Sequence, residues 1–197
     1  MSSHYIIRDD QAPALVIYHS SAVNEHIIHS LLEWQPRVIV EESSLGFVLH
    51  NRVNVDGIIL NQMSSEEVDD MLAYQKPYDI FRPSDIPLQL IHYLAENGTK
   101  AVDLIGEFDT PVKKLAQEME HKFPVYIYSD HSKFIHLKGG SFRKWSSAGR
   151  GFCVVPDLQN TEINNLDPLG SGNYKVAEEG IIEITARQPV WVGEIIA

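Results

Sequence analysis

Short apolar runs alternate with helix-periodic segments through the first two thirds of the chain. The runs, which are typical of buried strands, are ALVIYH from Ala14, RVIVEE from Arg37, VDGIIL from Val55, YDIF from Tyr78, AVDLIG from Ala101 and PVYIYS from Pro124. Between them, NEHIIHSLLEW has apolar residues at helical spacing, SSEEVDDML opens with a capping box of Ser64 and Glu67, and a further helix is predicted from Ser84 to Gly98. Strands that alternate with helices predict a mostly parallel sheet flanked by helices.

The pattern changes after Ser129 to short β-rich runs separated by glycine and proline. The runs are KFIHLK, SFRKW, GFCVVP, YKVA, GIIEIT and PVWVGEII, with turn sequences such as KGG, SAGR and DPLGSG between them. Evenly spaced short strands with such turns predict a small antiparallel sandwich or barrel. The predicted fold class is therefore α/β plus all-β, with an α/β domain over residues 1–129 and a β-sandwich over residues 130–197.

The charge balance narrows the set of partners. The 197 residues include 27 acids and 16 bases, which gives a net charge of −11, and no run of lysine and arginine exceeds two residues. Nucleic acids and anionic membranes both require a basic surface, so we expect neither as a partner. No stretch is apolar over the roughly 18 to 20 residues of a membrane span, and we expect a cytoplasmic protein. Cys153 is the one cysteine in the sequence, which excludes an internal disulfide.

Polar side chains follow four of the predicted strands at the point where each strand ends. They are Glu41 and Glu42 after the second strand, Asn61 and Gln62 after the third, Arg82 and Asp85 after the fourth, and Glu107 and Asp109 after the fifth. Ligands of open parallel sheets collect beyond the carboxyl ends of the strands, and carboxylates there could hold Mg²⁺ on the phosphates of a nucleotide. The alternative is that these residues cap the helices that follow.

The stretch DLIGEFDTP, residues 103–111, presents both alternatives. Glu107 and Asp109 follow a strand, where they could bind a metal ion. Thr110 followed by Pro111 fits the N-cap and first position of a helix, which favours a tightly turned joint. The sequence contains neither GxxxxGK[ST] nor GxGxxG after a strand, the usual nucleotide-binding signatures.

Several stretches resemble segments of the thiamine pyrophosphokinase family. LLEWQPRVIVEESSLGFVLHNRVNVDGIIL resembles the early segment of that family, in which a strand ends in an acid, a helix follows, and the next strand carries a phrase like DLIIGDFDS. RPSDIPLQLIHYLAENGTKAVDLIG resembles the KDxTDxE segment with its helix and strand, and EEGIIEI resembles the closing strand. The resemblance covers most of the chain from Leu31 and implies an α/β domain followed by a β-sandwich.

The resemblance implies a reaction and its cofactors. Members of the family bind ATP and Mg²⁺ through carboxylates and transfer a pyrophosphoryl group to the alcohol of thiamine. Carried onto this chain, the acid after the second strand is Glu41 or Glu42, and the KDxTD position keeps Arg82 and Asp85. We therefore expect Glu41, Glu42 and Asp85 to be catalytic and Arg82 to bind the cofactor.

The metal-binding motif of the family has two possible counterparts in this chain. DLIGEFDT looks like the motif itself and would make Glu107 and Asp109 the metal ligands. By chain position, however, the motif falls on Asn61 and Gln62, which have lost the charge. DLIGEFDT then corresponds to a later strand, and Gly106 is what this chain keeps of a glycine-rich nucleotide loop.

The resemblance also implies a homodimer that packs through the β domain, with thiamine or a related small molecule bound between subunits. Trp145 could stack on a ring of the ligand, or it could be a core or interface aromatic. Two functions follow from these observations. One is a thiamine pyrophosphokinase-like protein with impaired or altered catalysis, and the other is a non-catalytic ligand-binding or assembly protein with the same fold. An unrelated metal-dependent phosphotransferase or hydrolase is a third alternative.

Overall fold

The computed structural model describes residues 13–75, 77–82, 86–156 and 161–196. The chain divides into two compact units, the first ending at Asp130 and the second beginning at His131. The first unit contains both helices and strands, and the described part of the second contains strands alone. The predicted α/β plus all-β fold class is confirmed.

The first unit is built on a parallel sheet. Its strands are β1 (Ala14–Ile17), β2 (Val38–Glu41), β3 (Gly57–Ile59), β4 (Asp79–Phe81), β5 (Val102–Ile105) and β6 (Val125–Ser129). They lie in the order β6-β5-β1-β2-β3-β4, and each neighbouring pair is parallel. Every residue of β1, β2 and β5 is buried. Such strands are covered on both faces, which explains why their sequences are apolar runs rather than alternating patterns.

Helices connect these strands, as the alternating pattern predicts. They are α1 (Glu25–Leu32), α2 (Leu45–His50), α3 (Ser65–Met71), α4 (Ile86–Glu96) and α5 (Thr110–Met119), with short 3₁₀ turns at Ser20–Ala22 and Glu42–Ser44. The capping box of Ser64 and Glu67 at the start of α3 is confirmed. Gly98 follows α4 with φ of +74°, a conformation that glycine adopts without strain. The predicted start of that helix at Ser84 lies outside the described residues.

The start of α5 differs from the prediction by one residue. Asp109, and not Thr110, is the N-cap, because its Oδ1 accepts a hydrogen bond from the backbone N–H of Val112 at 3.0 Å. Thr110 and Pro111 are the first two helical residues. Pattern alone could not separate the two neighbours, since Asp and Thr both accept from backbone amides.

The second unit is an antiparallel sandwich. Its strands are β7 (Ser132–Leu137), β8 (Gly140–Ser146), β9 (Gly151–Val155), β10 (Glu162–Asn164), β11 (Leu166–Gly170), β12 (Asn173–Val176), β13 (Gly180–Ala186) and β14 (Val190–Ile195). One sheet has the order β11-β12-β9-β14-β7 and the other β10-β13-β8. Phe152 and Val192 from the first sheet pack with Ile182 and Ile184 from the second in one buried cluster.

Two strands of this unit occur where the sequence predicted turns or a connection. β11 includes the Asp-Pro-Leu-Gly part of DPLGSG, and β10 precedes it. Pro168 cannot donate a ladder hydrogen bond, but β11 is the edge of its sheet among the described strands and its register shifts between Pro168 and Gly170. The remaining Ser171 and Gly172 do form the turn between β11 and β12. In the described residues, no helix is long and apolar enough to cross a membrane.

Candidate functional site

The strand order of the first unit marks one edge as the place for a ligand. β1 pairs with β2 on one side and with β5 on the other, so the direction of winding reverses at β1. Open α/β sheets bind ligands beyond the carboxyl ends of the strands at such a point. We call the last residues of β1, β2, β3 and β5, together with the loops that begin at Tyr18, Glu42, Leu60 and Gly106, the carboxyl edge.

Hydrogen bonds join the loops of the carboxyl edge to one another. The backbone N–H of Ser20 donates to Oγ of buried Ser44 at 2.9 Å, which joins the loops after β1 and β2. The backbone N–H of Tyr18 donates to the carbonyl of Ile105 at 2.8 Å, which joins β1 to the end of β5. The edge is thus a connected surface within the first unit.

Glu41 ends β2 and is buried, yet both of its carboxylate oxygens have donors. Oε1 accepts from the side-chain amide of Asn61 at 2.6 Å. Oε2 accepts from the backbone N–H of Ser43 at 2.9 Å and from the hydroxyl of the same serine. Only 5% of this residue is exposed. Hydrogen bonds from neighbouring groups therefore stabilise this buried carboxylate.

Glu42 is held in a different way, by consecutive backbone amides. Its Oε2 accepts from the N–H groups of Asn61 at 2.8 Å, Gln62 at 3.0 Å and Met63 at 3.0 Å. Its Oε1 accepts from Gln62 at 2.9 Å. Burial acts to raise the pKa of Glu42, but the three amides outweigh it, and the net pKa lies below the usual value of a glutamate. The carboxylate is thereby kept ionised.

Glu107 and Asp109, the predicted metal ligands, differ from Glu41 and Glu42 in their surroundings. Glu107 is exposed, and Asp109 caps α5. Burial is the main cause that raises the pKa of the Tyr18 hydroxyl, and the charges of Glu41 and Asp109 raise it further. The charge of Asp109 therefore acts on the Tyr18 hydroxyl, while its side chain accepts the hydrogen bond that caps α5.

The structure also describes three more of the predicted site residues, Gly106, Arg82 and Trp145. A Cβ atom on Gly106 would lie 2.9 Å from Cγ2 of Val112, so the close approach of the loop to α5 explains the glycine. Arg82 follows β4, and its Nη2 donates to Oγ of Ser65 at 2.5 Å, at the start of α3. Trp145 lies on β8 of the second unit and is 58% exposed. Asp85 lies outside the described residues.

Two residues at the end of β1 were missed by the sequence reasoning. The Tyr18 hydroxyl interacts electrostatically with both Glu41 and Asp109, and the Nδ1 atom of His19 is buried with no hydrogen-bond partner in the described structure. The signal available in the sequence was the YHSS stretch directly after the first apolar run. An unpaired buried polar atom is uncommon in folded proteins, and a ligand is one explanation for it.

A cleft of about 510 Å³ adjoins the loop after β1. It is lined by Ser20, Ser21, Val23, Asn24, Glu25, Phe47, His50 and Asn51. Its volume falls within the roughly 300 to 1,000 Å³ of small-molecule sites. Phe47 supplies an aromatic face and Glu25 a carboxylate, so the cleft combines apolar contact with negative charge.

The donor set of the carboxyl edge does not fit a preformed Mg²⁺ site. Magnesium needs near-octahedral oxygen coordination from free carboxylates, water and phosphate. Among the residues that the structure describes, no group of three or more His, Cys, Asp or Glu side chains could hold a metal ion. The two acids at the end of β2, Glu41 and Glu42, accept hydrogen bonds through all four of their carboxylate oxygens.

Comparison with known proteins gives a result at the level of structure alone. No family model and no curated protein matches the sequence. Thiamine pyrophosphokinase from Bacillus subtilis superposes with a TM-score of 0.65 at 6% identity, over 94% of this chain and 99% of that one. Yeast thiamin pyrophosphokinase gives 0.66 at 9% identity, over 96% and 88%. The Candida albicans protein gives 0.62 at 13% identity, over 94% and 90%.

The architecture defines the class: a two-part protein with a parallel α/β domain and an antiparallel β-sandwich. More particularly, the fold is that of the thiamine pyrophosphokinases, and the likeness extends over nearly the whole length of both chains. The resemblance seen in the sequence is confirmed as a likeness of fold.

Proposed function

We propose that this is a thiamine pyrophosphokinase-like protein that binds a small molecule without Mg²⁺-dependent pyrophosphoryl transfer. The observation that carries the proposal is the hydrogen bonding of Glu41 and Glu42, whose four carboxylate oxygens all accept from donors within the chain. A magnesium ion would have to compete with these donors. The same two acids are those that the family resemblance assigns to catalysis.

Asn61 supports the same conclusion. It occupies the position at which the resemblance places a metal-binding acid, and its amide donates to Glu41 at 2.6 Å. An aspartate there could not donate this bond. Losing charged metal ligands removes transition-state stabilisation, and each 1.36 kcal/mol lost lowers a rate about tenfold. Catalysis with ATP and Mg²⁺ is therefore expected to be lost or strongly impaired.

The ligand proposed for the cleft is thiamine or a related molecule with an aromatic ring and a positive charge. Phe47 can contact the ring, and the carboxylate of Glu25 can compensate the charge. The unpaired Nδ1 of His19 provides one further polar group near the same strand end. The first unit contains 20 acids and nine bases and thus favours a cationic ligand.

The test combines binding and activity. Thermal shifts are measured with thiamine, thiamine diphosphate, ATP and AMP, each with Mg²⁺ and with a chelator, and formation of thiamine diphosphate is assayed separately. A ligand at about 100 times its dissociation constant stabilises the folded state by roughly 2.7 kcal/mol, which is readily measured. We expect stabilisation by thiamine that is independent of Mg²⁺, loss of that effect in Phe47→Ala, and no product. Magnesium-dependent nucleotide binding with product formation would overturn the proposal.

We also propose a homodimer through the β-sandwich. Trp145 and Ile181 are register partners on β8 and β13, and they are 58% and 54% exposed. The next register pair on the same face of these two strands is Arg143 and Glu183, which carry opposite charges. Nε of Arg143 lies 3.9 Å from Oε1 of Glu183 within the chain, so this pair would form part of a polar rim beside the apolar side chains in a two-fold interface. The second unit has seven acids and seven bases, so it can pack against its copy without the repulsion that the first unit would experience.

A further inference from the structure

The cleft beside the loop after β1 lacks the groups with which proteins usually bind phosphate. Lysine and arginine are absent from the described residues that line it, and its one basic side chain is that of His50. Phosphate is otherwise bound by free backbone N–H groups, above all at the start of a helix. The cleft includes such a helix start, because Asn24 and Glu25 line it and α1 begins at Glu25.

The start of α1 has already used N–H groups that a phosphate would need. The N–H of His26 donates to Oδ1 of Asn24 at 2.9 Å. The N–H of Ile27 donates to the carbonyl of the same asparagine at 2.9 Å. A phosphate bound at this helix start would therefore have to displace the cap.

Glu25 adds a negative charge at the same place. It is the first residue of α1, where the helix dipole stabilises a carboxylate. In the part of the chain that the structure describes, this carboxylate has no hydrogen-bond or ion-pair partner. Its charge is therefore not offset within the chain and acts on a ligand in the cleft. A cationic group is attracted by it, and a phosphate group is repelled.

We propose that Glu25 determines the specificity of the cleft, which accepts an unphosphorylated aromatic cation and rejects the phosphate ester of the same compound. This inference rests on the proposed function, since it takes the cleft as the ligand site and Phe47 as the contact with the ring. It goes further by naming the phosphorylation state of the ligand and the residue that distinguishes it. Thiamine and thiamine monophosphate are the matched pair, because they share both rings and the positive charge and differ in the phosphate.

The test is isothermal titration of each compound into the native protein, Glu25→Gln and the control Glu33→Gln. The control makes the same change at the exposed C-cap of α1, outside the cleft lining. All titrations contain a chelator and are made at matched ionic strength and at pH 8, where histidine side chains are ordinarily neutral. Because the two compounds share their rings and positive charge, the ratio of their dissociation constants isolates the effect of the phosphate.

We expect the native protein and Glu33→Gln to bind thiamine several-fold more tightly than thiamine monophosphate. In Glu25→Gln this preference should fall about three- to tenfold, since one unit charge at about 4 Å in water changes an equilibrium about fivefold. Glu25→Lys, which reverses the charge, should lower the preference further. An equal preference in the native protein and in both Glu25 variants would overturn this inference and leave the proposed function standing. Absence of thiamine binding by the native protein would overturn both.

Discussion

Replacing Asn61 by aspartate tests whether the carboxyl edge is held by hydrogen bonds in place of a metal. In the native protein the side-chain amide of Asn61 donates to Oε1 of buried Glu41 at 2.6 Å. Asn61→Asp keeps the size of the side chain but removes the donor and places a second negative charge against the first. Pattern-based reasoning from the family would regard this change as restoring a catalytic acid. The structure predicts a destabilised protein.

The magnitude follows from two contributions. Loss of a hydrogen bond to a charged group costs about 1.5 to 3 kcal/mol. Two carboxylates about 4 Å apart repel by up to roughly 4 kcal/mol at an effective dielectric constant near 20, and the solvent around the exposed residue 61 screens much of this. We therefore expect Asn61→Asp to lower the free energy of unfolding by about 2 to 4 kcal/mol, which corresponds to roughly 5 to 15 °C in Tm.

The assay is urea unfolding of Asn61→Asp beside a matched control. Gln62→Glu introduces the same charge one residue further on, at an exposed side chain that makes no hydrogen bond to Glu41, and it should cost less than about 1 kcal/mol. Equal stabilities of the two variants would refute the reasoning.

Three other substitutions test the remaining assignments. Asp109→Ala should lower the free energy of unfolding in urea by about 1 kcal/mol through loss of the α5 cap, and the control Glu107→Ala should change it by less than about 0.5 kcal/mol. A larger loss of stability in Glu107→Ala than in Asp109→Ala would contradict the assignment of Asp109 as the cap. The pKa of Tyr78 is raised to about 12 by burial, by a hydrogen bond to a carboxylate and by that charge, so its contribution to stability is present below about pH 10 and is lost as pH approaches 12. Native stability should fall across this window more steeply than that of Tyr78→Phe, and identical slopes would contradict this. Trp145→Asp should shift the protein to a monomer in sedimentation velocity, while Leu169→Asp, at another exposed apolar residue, should not; a dimer unaffected by Trp145→Asp would exclude the proposed interface.

Much of the fold could be predicted because its signals are local. The strands of the first unit are continuous apolar runs buried on both faces, and α3 carries a complete capping box. The strand β11 was missed because Pro168 and Gly170 are typical of turns, and only an edge position with a register shift accommodates them in a strand. The N-cap of α5 depends on which of two adjacent polar side chains turns back, and the sequence does not contain that information.

The candidate site could be located but not assigned from sequence. Strand ends identified Glu41, Glu42 and Asn61 as neighbours at one edge, since parallel strands bring their carboxyl ends together. Whether an acid binds a metal, caps a turn or accepts backbone amides depends on distances of a few tenths of an ångström. Glu42 shows this most clearly, because its partners are backbone N–H groups that every residue except proline possesses. Tyr18 and His19 were missed because no motif marks them.

Isothermal titration of thiamine into the native protein, with Mg²⁺ and with a chelator, would distinguish binding alone from catalysis. The same samples are then assayed for thiamine diphosphate after addition of ATP. We expect one thiamine affinity under both conditions and no diphosphate product. Thiamine diphosphate formed only when Mg²⁺ is present would contradict this expectation, because Glu41 and Glu42 would then have exchanged their internal hydrogen bonds for a metal ion.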